Sequence, residues 1–215
     1  HATIRRQRQM CIRDRAAIGH SLTIMFTSGA FFIYLGSGQP IIDEIYGYGD
    51  WFALIFAVTA GVIGLTVYGS TRVIQRLGAA RVGMIALWLA GGSALVFLVV
   101  ALSTDGRPPF WFWLGATAAF SATVTVATPI FVAIAMTPMA KVAGTASAVN
   151  GLLTILVSAL LAALFDRMID TTVTPMAAGF LLYTVAAGLI LTWARGGSLD
   201  VVDPDAAPRR TTVRT

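Results

Sequence analysis

Residues Phe110–Met136 read FWFWLGATAAFSATVTVATPIFVAIAM, and this stretch decides the fold. It holds no Asp, Glu, Lys, Arg or His, and its apolar side chains recur on every face rather than along one stripe. A helix that is apolar all round belongs inside protein or inside a membrane. Crossing a bilayer core of about 30 Å takes roughly 20 residues at about 1.5 Å of rise each, so the run is long enough. Backbone N–H and C=O groups find no water in hydrocarbon, which forces the segment to be helical. Outer-membrane strands would run about ten residues with alternating polarity, a pattern absent here.

Working outward, five further apolar segments surround this one: Ala16–Gly38, Asp50–Thr71, Val82–Ser103, Val142–Phe165 and Thr174–Ala194. The expected fold is all-α, a polytopic membrane protein with six transmembrane helices. Composition agrees, because 57% of residues are hydrophobic and only 12% charged, too little charge to clothe a water-soluble domain. The connectors are short and rich in turn-formers: Gly38-Gln39-Pro40 to Asp50, Arg72–Arg81, Ser103–Pro109, Pro138–Lys141 and Asp166–Thr174. Residues 195–215 switch to a polar, Pro-containing composition and read as a disordered cytoplasmic tail after a six-helix domain of residues 16–194. The first fifteen residues read as a non-native or linker segment. Met10-Cys11-Ile12-Arg13-Asp14-Arg15 is what a stretch of sequencing-library adapter would encode, so His1–Arg15 carries no functional expectation.

The net charge of +5 does not point to nucleic acid, because the basic residues sit at segment ends and form no stripe interleaved with aromatics. They point instead to an orientation. Arg5, Arg6, Arg8, Arg13, Arg15, Arg72, Arg76, Arg81, Lys141, Arg195, Arg209, Arg210 and Arg214 fall on one side of the six-span topology. Arg107 and Arg167 alone fall on the other. Lys and Arg collect on the cytoplasmic side, so both termini are expected there. Cys11 is the single cysteine and allows no internal disulfide.

From Tyr34 onward the chain resembles the second half of the Bcr/CflA-type drug exporters, the bicyclomycin and chloramphenicol resistance group of the major facilitator superfamily. The first matching stretch is Tyr34–Val82, YLGSGQPIIDEIYGYGDWFALIFAVTAGVIGLTVYGSTRVIQRLGAARV. Within it Pro40, Tyr46-Gly47, Phe56-Ala57, Ala60 and Arg76-Leu77-Gly78 match the family pattern, while Gln39 and Thr59 stand where Ser and Asn are usual. The second is Ala143–Ala159, AGTASAVNGLLTILVSA, similar to the small-residue fifth helix of that half. The resemblance implies a six-helix half made of two inverted three-helix repeats, Ala16–Ser103 and Phe110–Ala194, though the residues themselves show no evident internal symmetry. It also implies a missing N-terminal six-helix half that carries the coupling acids. The bacterial inner membrane is the expected location, and the expected function is export of small neutral or lipophilic drug-like molecules by proton antiport.

Candidate substrate-cavity residues follow from polar and aromatic side chains at helical spacing. His20, Thr23, Thr27, Phe31 and Tyr34 share a face of the first segment; Thr117, Ser121, Thr125 and Thr128 share one on the fourth; Ser147, Asn150, Thr154 and Ser158 share one on the fifth. Membrane hydroxyls usually bond their own helix backbone, which is the bland reading for most of these. Asn150 stands apart because a buried amide needs several partners. The cavity candidates are therefore Tyr34, Phe31, Thr27, Thr59, Asn150, Thr154 and Thr125. Pro129 removes one intrahelical bond and is a hinge or kink candidate. Gly151 belongs to a small-residue face with Gly144, Ser147 and Ala148, matched on the second segment by Ala57, Gly61 and Gly64, and such faces let helices approach closely. Arg72 and Arg76, with Gly78 and Arg81, occupy the place of the family's cytoplasmic gating loop, where anchoring to phospholipid headgroups is the simpler role. His20, near the cytoplasmic end of its segment, reads as a solvated interfacial histidine.

An enzyme is not expected. Ser37 lies in Leu35-Gly36-Ser37-Gly38, which superficially suggests an intramembrane serine protease, but no histidine follows His20. Neither an aspartyl dyad nor a metal cluster can be assembled, and no cofactor is implied. The expected partners are a small-molecule substrate, the lipid bilayer and the missing half, with no nucleic acid. Two alternatives stay open: a transporter of a metabolite such as a sugar or amino acid, and a six-helix membrane protein that stands alone.

Overall fold

The structure, a computed structural model, describes residues 2–137 and 143–194, with side chains described from residue 17 and, after the gap, from residue 144. The Pro138–Lys141 connector and the tail of residues 195–215 lie outside the described residues. Six helices follow one another: α1 (Ala2–Pro40), α2 (Phe52–Leu77), α3 (Ala79–Ser103), α4 (Phe110–Met136), α5 (Ala143–Asp166) and α6 (Thr174–Ala194). All six contain a stretch long and apolar enough to cross a membrane, and no β-strand occurs among the described residues. The chain is a multi-pass, all-α membrane protein.

The helix ends show how local chemistry sets the connections. α1 runs into Pro40, whose missing N–H weakens the last turn, and the backbone widens into a π-turn over Ile41–Ile45. Between α2 and α3 the sequence suggests a connector over Arg72–Arg81, but α2 continues to Leu77 and α3 starts at Ala79. Gly78 alone breaks the helix, with φ at +82°, a conformation that favours glycine. Arginine is a good helix former, so the charged residues mark where hydrocarbon stops and not where the helix stops. On the opposite side, Asp105 and Gly106 turn with positive φ before Pro108 and Pro109 start α4.

Packing places α1 and α4 side by side at the centre. α1 carries α5 and α6, α4 carries α2 and α3, and α3 meets α6 along one side. Exchanging α1–α3 with α4–α6 maps every one of these pairings onto another of the set. The packing thus has the two-fold repeat that the residues hide. Each repeat makes three crossings, so the second enters from the opposite side and is inverted.

The core explains why this arrangement holds. Phe120 of α4 stacks on Phe180 of α6 at 4.0 Å and 8° between planes, with Phe97 of α3 edge-on to Phe180. Trp113, Ile33 and Met176 are fully buried around them. Gly179 lets α6 approach α1 and α5, since a Cβ there would lie 2.6 Å from Ile33 Cδ1 and 3.0 Å from the Phe165 ring. The small-residue faces behave differently. A Cβ at Gly61 or Gly64 of α2, or at Gly144 or Gly151 of α5, would meet nothing. Their spacing predicts close helix contact, but no described residue of this chain supplies it.

Candidate functional site

The C-terminal half of α1 turns Tyr34 toward α2, where it is 3% exposed. Its ring stacks on Phe56 at 5.9 Å and 11°, and Phe31 lies one turn below at 6.1 Å. Phe52 extends the aromatic row toward the helix start, 5.6 Å from Phe56. The Tyr34 side chain faces Thr59, the buried residue of α2. Thr59 sends its own proton to the Ile55 carbonyl at 3.0 Å, which leaves its oxygen as an acceptor. Three of the sequence candidates, Tyr34, Phe31 and Thr59, therefore form one cluster. Phe56 completes it and was visible in the sequence only as a motif residue, one helical turn from Thr59.

α4 contributes a second set of groups. Trp113, Thr117 and Ser121 recur every four residues, and all three are fully buried. Trp113 Nε1, Thr117 Oγ1 and Ser121 Oγ make no hydrogen bond among the described residues. A buried polar atom without a partner costs about 1–3 kcal/mol, so such a row is well placed to bind water or a polar ligand group. His20 of α1 contacts Phe131 of α4 with ring centroids 5.9 Å apart. Equal rise along the two antiparallel helices from that contact puts Thr117 at the depth of Tyr34. Thr125, the α4 candidate, gives its proton to the Ser121 carbonyl at 2.7 Å, and Thr27 of α1 gives its own to Thr23 at 2.9 Å. Those two hydroxyls serve their own helices.

The α5 candidates lie elsewhere. Ser158 donates to the Met25 carbonyl of α1 at 3.0 Å and fixes the relative depth of the two helices. From that level Tyr34 and Asn150 lie in opposite directions, about 25 Å apart along the bundle at about 1.5 Å per residue. Asn150 is half-buried, and Thr154 Oγ1 is buried without a hydrogen-bond partner among the described residues. One small molecule cannot touch Tyr34 and Asn150 together, so the candidates divide into two groups at opposite ends of the bundle.

The helix ends on the Tyr34 side are tied together by bonds the sequence did not reveal. Ser37 of α1 donates to the Asp166 carboxylate at the end of α5. Gly36 makes room for it, because a Cβ there would lie 2.6 Å from Asp166 Oδ2. The serine that superficially suggested catalysis is thus a helix-to-helix clasp, signalled in hindsight by the small residues on either side of it. Tyr46 donates to the Pro108 carbonyl at 2.9 Å, and burial pushes its phenol up to about 12. Val173 N donates to the Gly106 carbonyl at 2.9 Å, and Arg107 Nε donates to the Thr171 carbonyl at 3.1 Å.

The remaining candidates are spread out. Pro129 is exposed within an unbroken α4. Arg72 and Arg76 are exposed on the last turns of α2, and the Arg72 guanidinium sits 5.8 Å over the Tyr68 ring. His20 corrects the reading of a solvated histidine, for it is 5% exposed and packed against Phe131. The packing of α1 on α4 covers His20, which the position of a residue along its own helix does not reveal.

The chain is 27% identical over 180 residues to the Uncharacterized MFS-type transporter YdgK of Bacillus subtilis (strain 168), a match covering 83% of this chain and 44% of that protein. It therefore spans less than half the length of the curated relative it matches. No family model matches the chain, and no solved structure matches it.

Proposed function

We propose that this chain forms one half of the substrate path of a major-facilitator-type exporter in a bacterial inner membrane. Its cargo is small and neutral or lipophilic, export is driven by proton antiport, and both termini face the cytoplasm. The observation that carries this reading is the outer cluster of Tyr34, Phe31, Phe56 and Thr59 at the depth of the unpartnered Thr117. Aromatic faces with a few fixed polar groups suit small organic molecules, and among the described residues no charged side chain joins the cluster to select for an ion. The similarity to an MFS-type transporter supports the same class.

A second helical body completes the path in this proposal. The small-residue faces of α2 and α5 meet nothing among the described residues, and such faces suit close packing against other helices. That second half also supplies the titrating acid for proton coupling. Asn150 and Thr154 form the inner contact for cargo and the Tyr34 cluster the outer one, with Pro129 as hinge. Gly151 gives a close-fitting surface for the movement, and Arg72 and Arg76 hold the cytoplasmic end at the headgroups.

The test expresses the complete gene in a drug-sensitive bacterium and measures accumulation of a fluorescent lipophilic dye and growth inhibition by chloramphenicol. Tyr34→Ala and Asn150→Ala are each expected to lower export at least tenfold while leaving membrane abundance unchanged. Loss of abundance in step with loss of export overturns the cavity roles. Unchanged drug accumulation with the wild-type gene overturns drug export and favours a metabolite cargo.

A further inference from the structure

On the side of the bundle where α3 meets α6, an open groove of about 190 Å³ runs between the two helices. Met84, Trp88 and Gly91 form one wall, Thr184, Gly188 and Thr192 the other, and the surface they present is almost entirely carbon. The groove exists because glycines stand on both walls: a Cβ at Gly188 would meet nothing within 4 Å. In a bilayer this groove faces acyl chains. It extends about 12 Å along α6 at about 1.5 Å per residue, enough to hold part of one chain.

Charge at one end distinguishes it from a bare apolar surface. Arg81 lies in the first turn of α3 and is exposed. It is one turn before Met84 and two turns before Trp88 on the same helical face, and a helical side chain leans toward the helix start. Its guanidinium therefore projects past the mouth of the groove, toward the membrane surface. The unpaired N–H groups of the first turn of α3 add positive potential at that point. Arg76 ends α2 just across Gly78 and is also exposed.

We propose that the α3–α6 groove binds an anionic phospholipid, with an acyl chain between Met84 and Gly188 and its phosphate on Arg81. The arginine fixes the headgroup and the glycines admit the chain. Occupation would fasten α3 and α6 to each other.

Native mass spectrometry of the detergent-solubilised full chain, titrated with phosphatidylglycerol or phosphatidylcholine, tests this. One phosphatidylglycerol should bind at least tenfold more tightly than phosphatidylcholine. Arg81→Gln should remove most of that preference, about tenfold for a lost charge-assisted hydrogen bond. Gly188→Leu should abolish the site for both lipids by filling the groove, while Gly115→Leu, also at a position where a Cβ meets nothing, should leave it intact. Equal binding of the two lipids, or undiminished phosphatidylglycerol binding in either Arg81→Gln or Gly188→Leu, overturns the proposal. A dimer that Gly188→Leu disperses also overturns it, because a second copy of the chain then occupies the groove.

Discussion

α2 and α4 are nearly the same helix by composition and nearly opposite by position. Their most apolar stretches have mean hydropathies of 2.0 and 1.9, yet only 6% of the α2 stretch is buried within the chain against 50% of the α4 stretch. Hydropathy reports that a segment leaves water. It cannot distinguish lipid from protein, because a lipid tail is as apolar as a leucine. What separates the two helices is the kind of side chain aimed inward. α4 buries Trp113, Phe120 and Phe131 with hydroxyls between them, whereas α2 buries Thr59 and leaves Leu65, Tyr68 and its glycines outside. α5, the symmetry counterpart of α2, repeats the pattern with 11% of its stretch buried.

The largest effect expected from this contrast is on stability. Phe120→Ala removes a stacked, fully buried ring and should cost about 3–5 kcal/mol, read as a lowered unfolding midpoint in detergent. Leu65→Ala, at a side chain 73% exposed, should stay within about 0.5 kcal/mol. Similar losses at both positions would mean that α2 is as integral to the fold as α4.

Glycines sharpen the same contrast. Gly179→Ala brings a methyl against Ile33 and Phe165 and should destabilise by about 1–3 kcal/mol. Gly64→Leu adds a larger group into open space and should leave the isolated chain as stable as before. If a second half packs on α2, that variant should nevertheless abolish transport by the complete protein, measured as dye accumulation at unchanged abundance. Normal transport would show that nothing packs on this face of α2.

The number of helices and most of their ends, apart from the start of α1 and the two ends that meet at Gly78, were legible in the sequence, because a bilayer imposes length and apolarity on each span regardless of its neighbours. Phe110–Met136 and Thr174–Ala194 fall on the residues the apolar runs indicated. What was not legible depends on which helix stands beside which. The two-fold exchange of α1–α3 with α4–α6 is a property of packing, and nothing in Phe120 predicts Phe180 as its partner. The candidate site was half legible for the same reason. Tyr34 and Thr59 could each be singled out, but their meeting needed α1 and α2 both packed on α4. Asn150 could be singled out too, and only the Ser158–Met25 bond shows how far from Tyr34 it lies. The Ser37–Asp166 clasp was hidden because Asp166 reads as a loop residue until α5 reaches it.

That clasp gives the next, smaller effect. Ser37→Ala leaves the Asp166 carboxylate short of a donor and should cost about 1–2 kcal/mol. Hydrogen exchange should quicken at the C-terminal ends of α1 and α5 and stay unchanged at α3, which does not share the bond.

The smallest effect concerns pH at another tie on that side, between Tyr46 and Pro108. Burial raises the Tyr46 phenol to about 12, above its unfolded value of about 10, because the charged form is poorly solvated there. A proton held more tightly in the folded state stabilises it fully below pH 10, and that contribution disappears as pH climbs through the folded value. The unfolding midpoint should therefore fall between about pH 10 and pH 12. Tyr46→Phe removes the hydrogen bond to Pro108, about 1 kcal/mol at neutral pH, and should make the decline over that interval shallower. An identical slope in the variant would assign the alkaline loss to other groups and would leave the Tyr46 bond a static tether.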